Sequence, residues 1–326
     1  HNMKTIVLGP PGTGKTETLL NEVETRLKSS DPDKIGYFAF TQKAANEARK
    51  RAIKKFNFSE DDLPYFRTLH SLAFRQLGLR KENVMQPHHY KELGSSLKVP
   101  FSISVNNNDE SGGFLSSNSP ELNIINSAKH KQITTLQQYD LGEHIADVSR
   151  EKVEILSNEL ETYKREKHLI DFHDMISDFI KSDKCPKFDV TFIDEAQDLS
   201  KVQWCMADKV FNNTGDSFIA GDDDQAVFRW AGADVDSFIA LDGKINQLIQ
   251  SFRVPKSVHK LAANIVSRIK KRINKNWLPS TREGNIKWYD NFEDINLKNG
   301  NWLVLTRTNN QLIPLEDCLH TDGMYF

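Results

Sequence analysis

The chain has 326 residues, 38% of them hydrophobic and 27% charged, with a formal net charge of -2. That is apolar material enough for the cores of two or three domains, and a charge balance that argues against a wholly basic nucleic-acid coat. No run approaches the roughly 18 unbroken apolar residues of a membrane span and no charged leader precedes one, so neither a membrane nor export is expected; Cys185, Cys205 and Cys318 lack a short paired spacing, which argues against zinc or a redox pair and fits a reducing, cytoplasmic setting.

In chain order, strand and helix alternate. Residues 5–8 form a short apolar strand that runs into a Gly/Pro-rich turn, and a helix begins near Lys15. Residues 35–40 read as a second buried strand, followed by an Ala- and Lys/Arg-rich helix over 42–56. From 79 to 167 polar helices dominate, interrupted at 105–120 by an Asn/Ser/Gly-rich stretch that reads as a flexible loop. Short apolar strands resume at 190–193 and 217–220, each ending on acids where a parallel sheet presents its ligand-facing edge. A new unit opens near Leu248, with a helix over 257–274 and a strand at 302–305. The expected fold is therefore α/β. A doubly wound parallel sheet is drawn from 3–78 and 168–248, with an inserted helical block over 79–167 and the beginning of a further domain over 249–326.

Four segments carry chemistry. Gly9-Pro10-Pro11-Gly12-Thr13-Gly14-Lys15-Thr16 fits the phosphate-loop pattern G-x-x-x-x-G-K-[ST], in the strand-to-helix context that supports it. In such a loop Gly9, Gly12, Thr13 and Gly14 let backbone N–H groups face phosphates, Lys15 neutralises β/γ charge, and the Thr16 hydroxyl ligates Mg²⁺. Asp194 and Glu195 follow an apolar strand; Asp194 suits the metal, and Glu195 suits the attacking water, as base or orienting group. Gly221 to Ala233 joins Asp222, Asp223, Asp224 and Gln225, suited to a phosphate and its water or metal, to Phe228 and Trp230, whose spacing of two projects both rings to one side of a strand or turn. Arg253 suits a transferring phosphoryl group, and Phe252 an adenine ring.

For nucleic acid, Phe40 can stack on a base while Thr41 and Lys43 meet phosphates, and His70 lies in a second polar step, Arg67-Thr68-Leu69-His70-Ser71. A structural histidine and core aromatics are the plain alternatives for His70, Phe228 and Trp230. Two basic clusters accompany these segments. Lys43, Arg49, Lys50, Arg51, Lys54 and Lys55 adjoin the Phe40 step, whereas Arg268, Lys270, Lys271, Arg272 and Lys275 have no motif around them.

Together and in this order, the segments resemble the motifs of the UvrD/Rep/PcrA helicases of superfamily 1. The phosphate loop resembles their first motif, residues 39–45 resemble T-F-T-N-K-A-A, Thr68-Leu69-His70-Ser71 resembles T-F-H-S, and Asp194-Glu195-Ala196-Gln197 resembles D-E-x-Q. Gly221 to Ala233 resembles G-D-D-D-Q-S-I-Y-G-W-R-G-A, and residues 248–253 resemble L-x-Q-N-Y-R. Residues 169–172 and 304–309 resemble linking segments of the same family. The resemblance implies a P-loop NTPase with two RecA-like domains, the second only begun here, using ATP and Mg²⁺ to move 3′ to 5′ on single-stranded DNA. Accessory replication or repair proteins are expected partners. Gln225 would then report on the γ-phosphate, and Phe40, Thr41, Lys43, His70, Phe228 and Trp230 would meet DNA. Arg229 stands where the family usually has Gly, and Ala231 where it usually has Arg. The adenine-reading segment before the first strand and the last two motifs have no counterpart in residues 1–326, so an incomplete motor is expected. Two other readings stand beside the motor: an Upf-type helicase acting on RNA, which usually lacks the aromatic tail of Phe228 and Trp230, and a catalytically weak ATP-dependent nucleic-acid-binding module.

Overall fold

Short apolar runs, buried on both faces, build the central sheet. The computed structural model describes residues 3–99, 101, 103–104, 116–144, 147–229, 232–307 and 311–321. It opens with β1 (Met3–Leu8), α1 (Lys15–Arg26), β2 (Ile35–Phe38), α2 (Gln42–Phe56), β3 (Phe66–Arg67) and α3 (Leu69–Gln76). There follow α4 (Pro87–Ser96), a small hairpin of β4 (Ile103–Ser104) and β5 (Ser116–Ser117), α5 (Pro120–Lys131), α6 (Thr135–Asp140), α7 (Arg150–Lys167) and α8 (Phe172–Lys181). The chain then returns to the sheet through β6 (Phe188–Ile193), α9 (Lys201–Asn212), β7 (Thr214–Gly221), α10 (Val235–Ile239) and β8 (Lys244–Gln247), before α11 (Lys256–Val266) and α12 (Ile313–Thr321).

Six strands form one sheet in the order β3-β2-β6-β7-β1-β8, and every pairing in it is parallel. The expected α/β parallel architecture is borne out. Because side chains alternate along a strand, each strand feeds two cores. Ile6, Phe38, Ile193 and Ile219 face one that is completed by Leu72, Met175, Phe179 and Trp204. Val7, Tyr37, Phe192 and Ala220 face the other, closed by Leu19 and Val23 of α1 and by Ala45, Ala48 and Ala52 of α2. The small alanine face of α2 lets that helix lie close on the sheet, while its first basic cluster divides. Arg51 pairs with Glu17 and Glu24 of α1 and Lys55 also pairs with Glu24, so those cations brace two helices.

Strands from either side of residues 79–167 share this sheet. The intervening helices close a core of their own around Met85, Tyr90, Leu93, Leu122, Ile125, Leu156 and Leu160. Its entry and exit run side by side: Met85 N–H donates to the Ile170 carbonyl at 2.9 Å, and Ile170 N–H to the Asn83 carbonyl at 2.9 Å.

Several expectations need correction. Helix α11 ends at Val266 rather than near 274, because beyond it the chain turns away to give backbone and side-chain donors to acids at the end of β7. Residues 302–305 are not a strand; among the described residues no strand pairs with them, and Leu303 and Leu305 are exposed. An apolar run makes a strand only where a neighbouring edge takes its backbone groups; here they face solvent instead. The sheet also gains β3 and β8, too short or too exposed to stand out by composition. Of the loop read at 105–120, residues 105–115 lie outside the described residues, and the remainder holds β5 and the start of α5. No helix among the described residues is long and apolar enough to cross a membrane.

Candidate active site

Parallel pairing sends the C-terminal ends of β1, β2, β6 and β7 to one edge. The phosphate loop leaves β1 there. Gly12 has φ +72° and Gly14, the N-cap of α1, φ +86°, so both need the left-handed region that glycine occupies freely. Gly12 is also crowded, since a Cβ on it would stand 2.7 Å from Cβ of Arg253 and 2.8 Å from Oγ of Ser251. Thr13 is buried and donates its hydroxyl to the Pro10 carbonyl at 2.7 Å, and Lys15 Nζ donates to the Gly9 carbonyl at 3.0 Å, which folds the loop on itself.

The segment after β8 docks on this loop. Ser251 Oγ donates to the Pro11 carbonyl at 2.8 Å and Phe252 N–H to the Gly12 carbonyl at 2.9 Å. Arg253 is thereby seated against the phosphate loop, and the Phe252 ring is left 76% exposed, free to cover a planar ligand.

Thr16 Oγ1 donates to Asp194 Oδ2 at 2.7 Å across 178 residues of sequence. Asp194 also accepts from the Tyr37 hydroxyl at 3.2 Å and from the Glu195 N–H at 2.9 Å. Burial first, and the charge of Glu195 second, raise the proton affinity of the Asp194 carboxyl despite those donors. A buried carboxylate that holds a threonine hydroxyl beside a phosphate loop is a hard, all-oxygen donor set, and it fits Mg²⁺. Among the described residues no three His, Cys, Asp or Glu side chains gather into a metal cage.

Glu195 stands at the turn out of β6 with φ +52°, a left-handed conformation uncommon for a residue with a side chain. Such strain, of order 1–3 kcal/mol, persists where the surroundings enforce it. Here Gln197 does so: its Nε2 donates to Glu195 Oε2 at 2.8 Å and to Asp198 Oδ2 at 3.3 Å, while its Oε1 accepts the Asp222 N–H at 3.0 Å. The Asp198 carboxyl is pushed up to about 7, by burial and then by the charge of Glu195, and its Oδ1 is buried without a hydrogen-bond partner. Gln225, at the end of β7, donates from Nε2 to Asp222 Oδ2 at 2.5 Å. Gln197 and Asp198 escaped the sequence reading as site residues; the D-E-x-Q-D spacing was the available signal.

The candidate nucleic-acid residues fall partly in the same place. A cleft of about 1010 Å³ is lined by Phe40, Thr41, Lys43, Lys50 and Phe228 together with Asp194, Glu195, Asp198 and Gln225. The Phe40 and Phe228 rings meet at 5.5 Å, and Phe40 is buried. Thr41 caps α2, its Oγ1 accepting the Ala44 N–H at 3.1 Å, which leaves the hydroxyl proton for a phosphate. His70 instead packs its ring edge-on against Phe172 at 5.6 Å. Burial, and next the charge of His173, lower its pKa to about 4, so at neutral pH it is an uncharged imidazole. Trp230 and Ala231 lie outside the described residues.

A parallel sheet that delivers a phosphate loop and two acid-bearing strand ends to one edge defines a P-loop nucleotide-binding protein of the RecA-like class. Comparison with known proteins narrows the class. Residues 1–246 match the UvrD/REP helicase N-terminal domain, and the chain belongs to that family. It is 25% identical over 295 residues to the ATP-dependent DNA helicase Rep of Buchnera aphidicola, covering 82% of this chain and 44% of that protein. It is 24% identical over 271 residues to a probable DNA helicase II homolog of Mycoplasma genitalium (77% of this chain, 37% of that protein). With the ATP-dependent DNA helicase PcrA of Staphylococcus aureus it shares 22% identity over 306 residues, 87% of this chain and 41% of that protein. The chain thus spans less than half the length of these curated relatives.

Proposed function

We propose that this chain is the motor portion of an ATP-dependent DNA helicase, coupling hydrolysis of ATP to 3′–5′ movement along single-stranded DNA. One observation carries the reading. The cleft that holds Asp194, Glu195 and Gln225 also holds Phe40, Thr41, Lys43 and Phe228, so nucleotide chemistry and a stacking, cationic surface share one wall.

In this reading the N–H groups of residues 12–16 cradle the phosphates, with Lys15 turning from the Gly9 carbonyl to the β/γ oxygens. Thr16 and Asp194 hold Mg²⁺, which when bound neutralises charge between the phosphates. Glu195 aligns the attacking water and draws off its proton. Gln225 contacts the water or the terminal phosphate, and Arg253, seated on the loop by Ser251 and Phe252, offsets charge on the transferring group. Phe252 covers the adenine. Phe228 and Trp230 grip bases, with the buried Phe40 packed on the Phe228 ring, while Thr41, Lys43 and His70 meet the strand, His70 as a neutral hydrogen-bonding ring.

The test is ATP turnover with and without single-stranded DNA across a salt series. Stimulation that fades with salt is expected, because phosphate contacts release counterions. Glu195→Gln should abolish most turnover while ATP binding persists. No stimulation of the full-length protein by DNA would sink the motor reading, and stimulation by RNA alone would transfer it to an RNA helicase.

A further inference from the structure

The second basic cluster, which no motif explained, has a destination. Lys275 is buried, with its Nζ 3.3 Å from Asp222 Oδ1, 3.1 Å from Asp224 Oδ2, and closest to Asp223. Arg272 grips Asp224 with both arms of its guanidinium, Nε to Oδ1 at 2.8 Å and Nη2 to Oδ2 at 2.6 Å. Between them Ile273 N–H donates to Asp223 Oδ2 at 2.7 Å. Three successive carboxylates at the end of β7 are thus met by one short segment that follows α11.

This matters because like charges so close repel, and each would swing apart if it were not held. Asp222 has one oxygen on Lys275 and the other on Gln225 Nε2 at 2.5 Å, while its carbonyl accepts the Gln225 N–H at 3.0 Å. With its side chain only 1% exposed and its ammonium engaged by these acids, Lys275 is not placed to touch a bound nucleotide itself.

We propose that Lys275, with Arg272 as a second anchor, is a positioning residue for hydrolysis: by holding Asp222, Asp223 and Asp224 it fixes the Gln225 amide in the cleft. Withdrawal of the segment after α11 would release Asp222 to rotate and Gln225 to turn with it. The position of that segment then governs how well Gln225 is aimed. The inference rests on the hydrolysis reading above.

A double-mutant cycle on the full-length protein tests it, using Lys275→Met, which keeps an unbranched side chain and removes the charge. DNA-stimulated kcat should fall at least about tenfold with KM for ATP within about threefold, the split expected when aim is lost and binding is kept. Added to Gln225→Ala, the same substitution should cost less than about twofold more, because both act through one amide. Losses that multiply in the double variant, or a Lys275→Met protein within about twofold of the parent, overturn the proposal. If Lys275→Met does not fold, Arg272→Gln enters the same cycle, since that side chain is 19% exposed, and Arg272→Lys should restore most of its loss. An unimpaired Gln225→Ala protein overturns this proposal and leaves the hydrolysis reading standing, whereas an unsubstituted protein without ATP turnover overturns both.

Discussion

Gln197 is the side chain whose loss the geometry prices most directly. It is 2% exposed, and its carboxamide is used at both ends: Oε1 for the Asp222 N–H, Nε2 for the Glu195 and Asp198 carboxylates. Gln197→Leu preserves most of the volume and removes all three bonds. The buried Asp222 N–H then lacks a partner, at about 1–3 kcal/mol, and two bonds to acids vanish, of which the one to Glu195 is charge-assisted, about 1.5–3 kcal/mol when fully buried, and the one to the partly protonated Asp198 contributes less. Glu195 is only half-buried and regains water, and the bond to Asp198 is long at 3.3 Å, so the sum is reduced. We expect a net destabilisation of about 2–4 kcal/mol by urea unfolding. Turnover of ATP should fall further than stability explains. Glu195 loses the contact that supports its left-handed backbone, and misplacement of a water-orienting group by about 1 Å costs on the order of 100-fold. Unfolding free energy within about 0.5 kcal/mol of the parent, together with unchanged turnover, would refute the claim that this amide holds the two strand ends together.

Gly12→Ala should fold and yet lose ATP binding by more than about tenfold, because the left-handed backbone costs roughly 1–2 kcal/mol and the new methyl meets Arg253 and Ser251 at less than van der Waals contact; isothermal titration with ATP reads it, and parental affinity would mean the segment after β8 does not need that contact. His70 and His173 each have a pKa lowered to about 4 from 6.5, chiefly by burial, with Asp171, Lys129 and Lys164 the charged groups around His173. The unfolded imidazoles therefore take up protons that the folded ones refuse. Their contribution to stability is full above about pH 6.5 and is lost as pH falls toward 4, by about 1.4 kcal/mol per unit for each ring. The difference in unfolding free energy between the parent and His173→Asn, followed from pH 7 down to about pH 5, should fall with the slope of one ring, free of the opposite contribution of Asp198, whose raised pKa makes the fold take up a proton there; a difference that stays constant with pH would assign the effect to other groups. Phe228→Ala should weaken single-stranded DNA binding by about 1–3 kcal/mol with ATP affinity little changed, read by fluorescence anisotropy; equal loss of both would mean that the ring serves the core alone, where it already packs on Phe40.

Much was legible locally. The phosphate loop, the strands ending in acids, and the helix over Gln42–Phe56 are written in consecutive residues, because turn chemistry, periodicity and capping act over a few positions. The same local rules misjudged residues 302–305, where an apolar run has no partner strand among the described residues, and carried α11 too far, past the point where Arg272 and Lys275 leave for their acids.

By itself, then, the sequence determined which chemistry is available: a phosphate loop, a metal-suited acid, a base, a reporting glutamine, stacking rings. Only the tertiary structure decided which of these meet. Thr16 reaches Asp194 across 178 residues, and Lys275 reaches Asp223 across 52. Both contacts depend on a strand order, β3-β2-β6-β7-β1-β8, that no local pattern specifies. One basic run became a brace between α1 and α2 and another a clamp on three acids, because a charge commits to the partner that burial brings within reach, and burial is a property of the packed sheet.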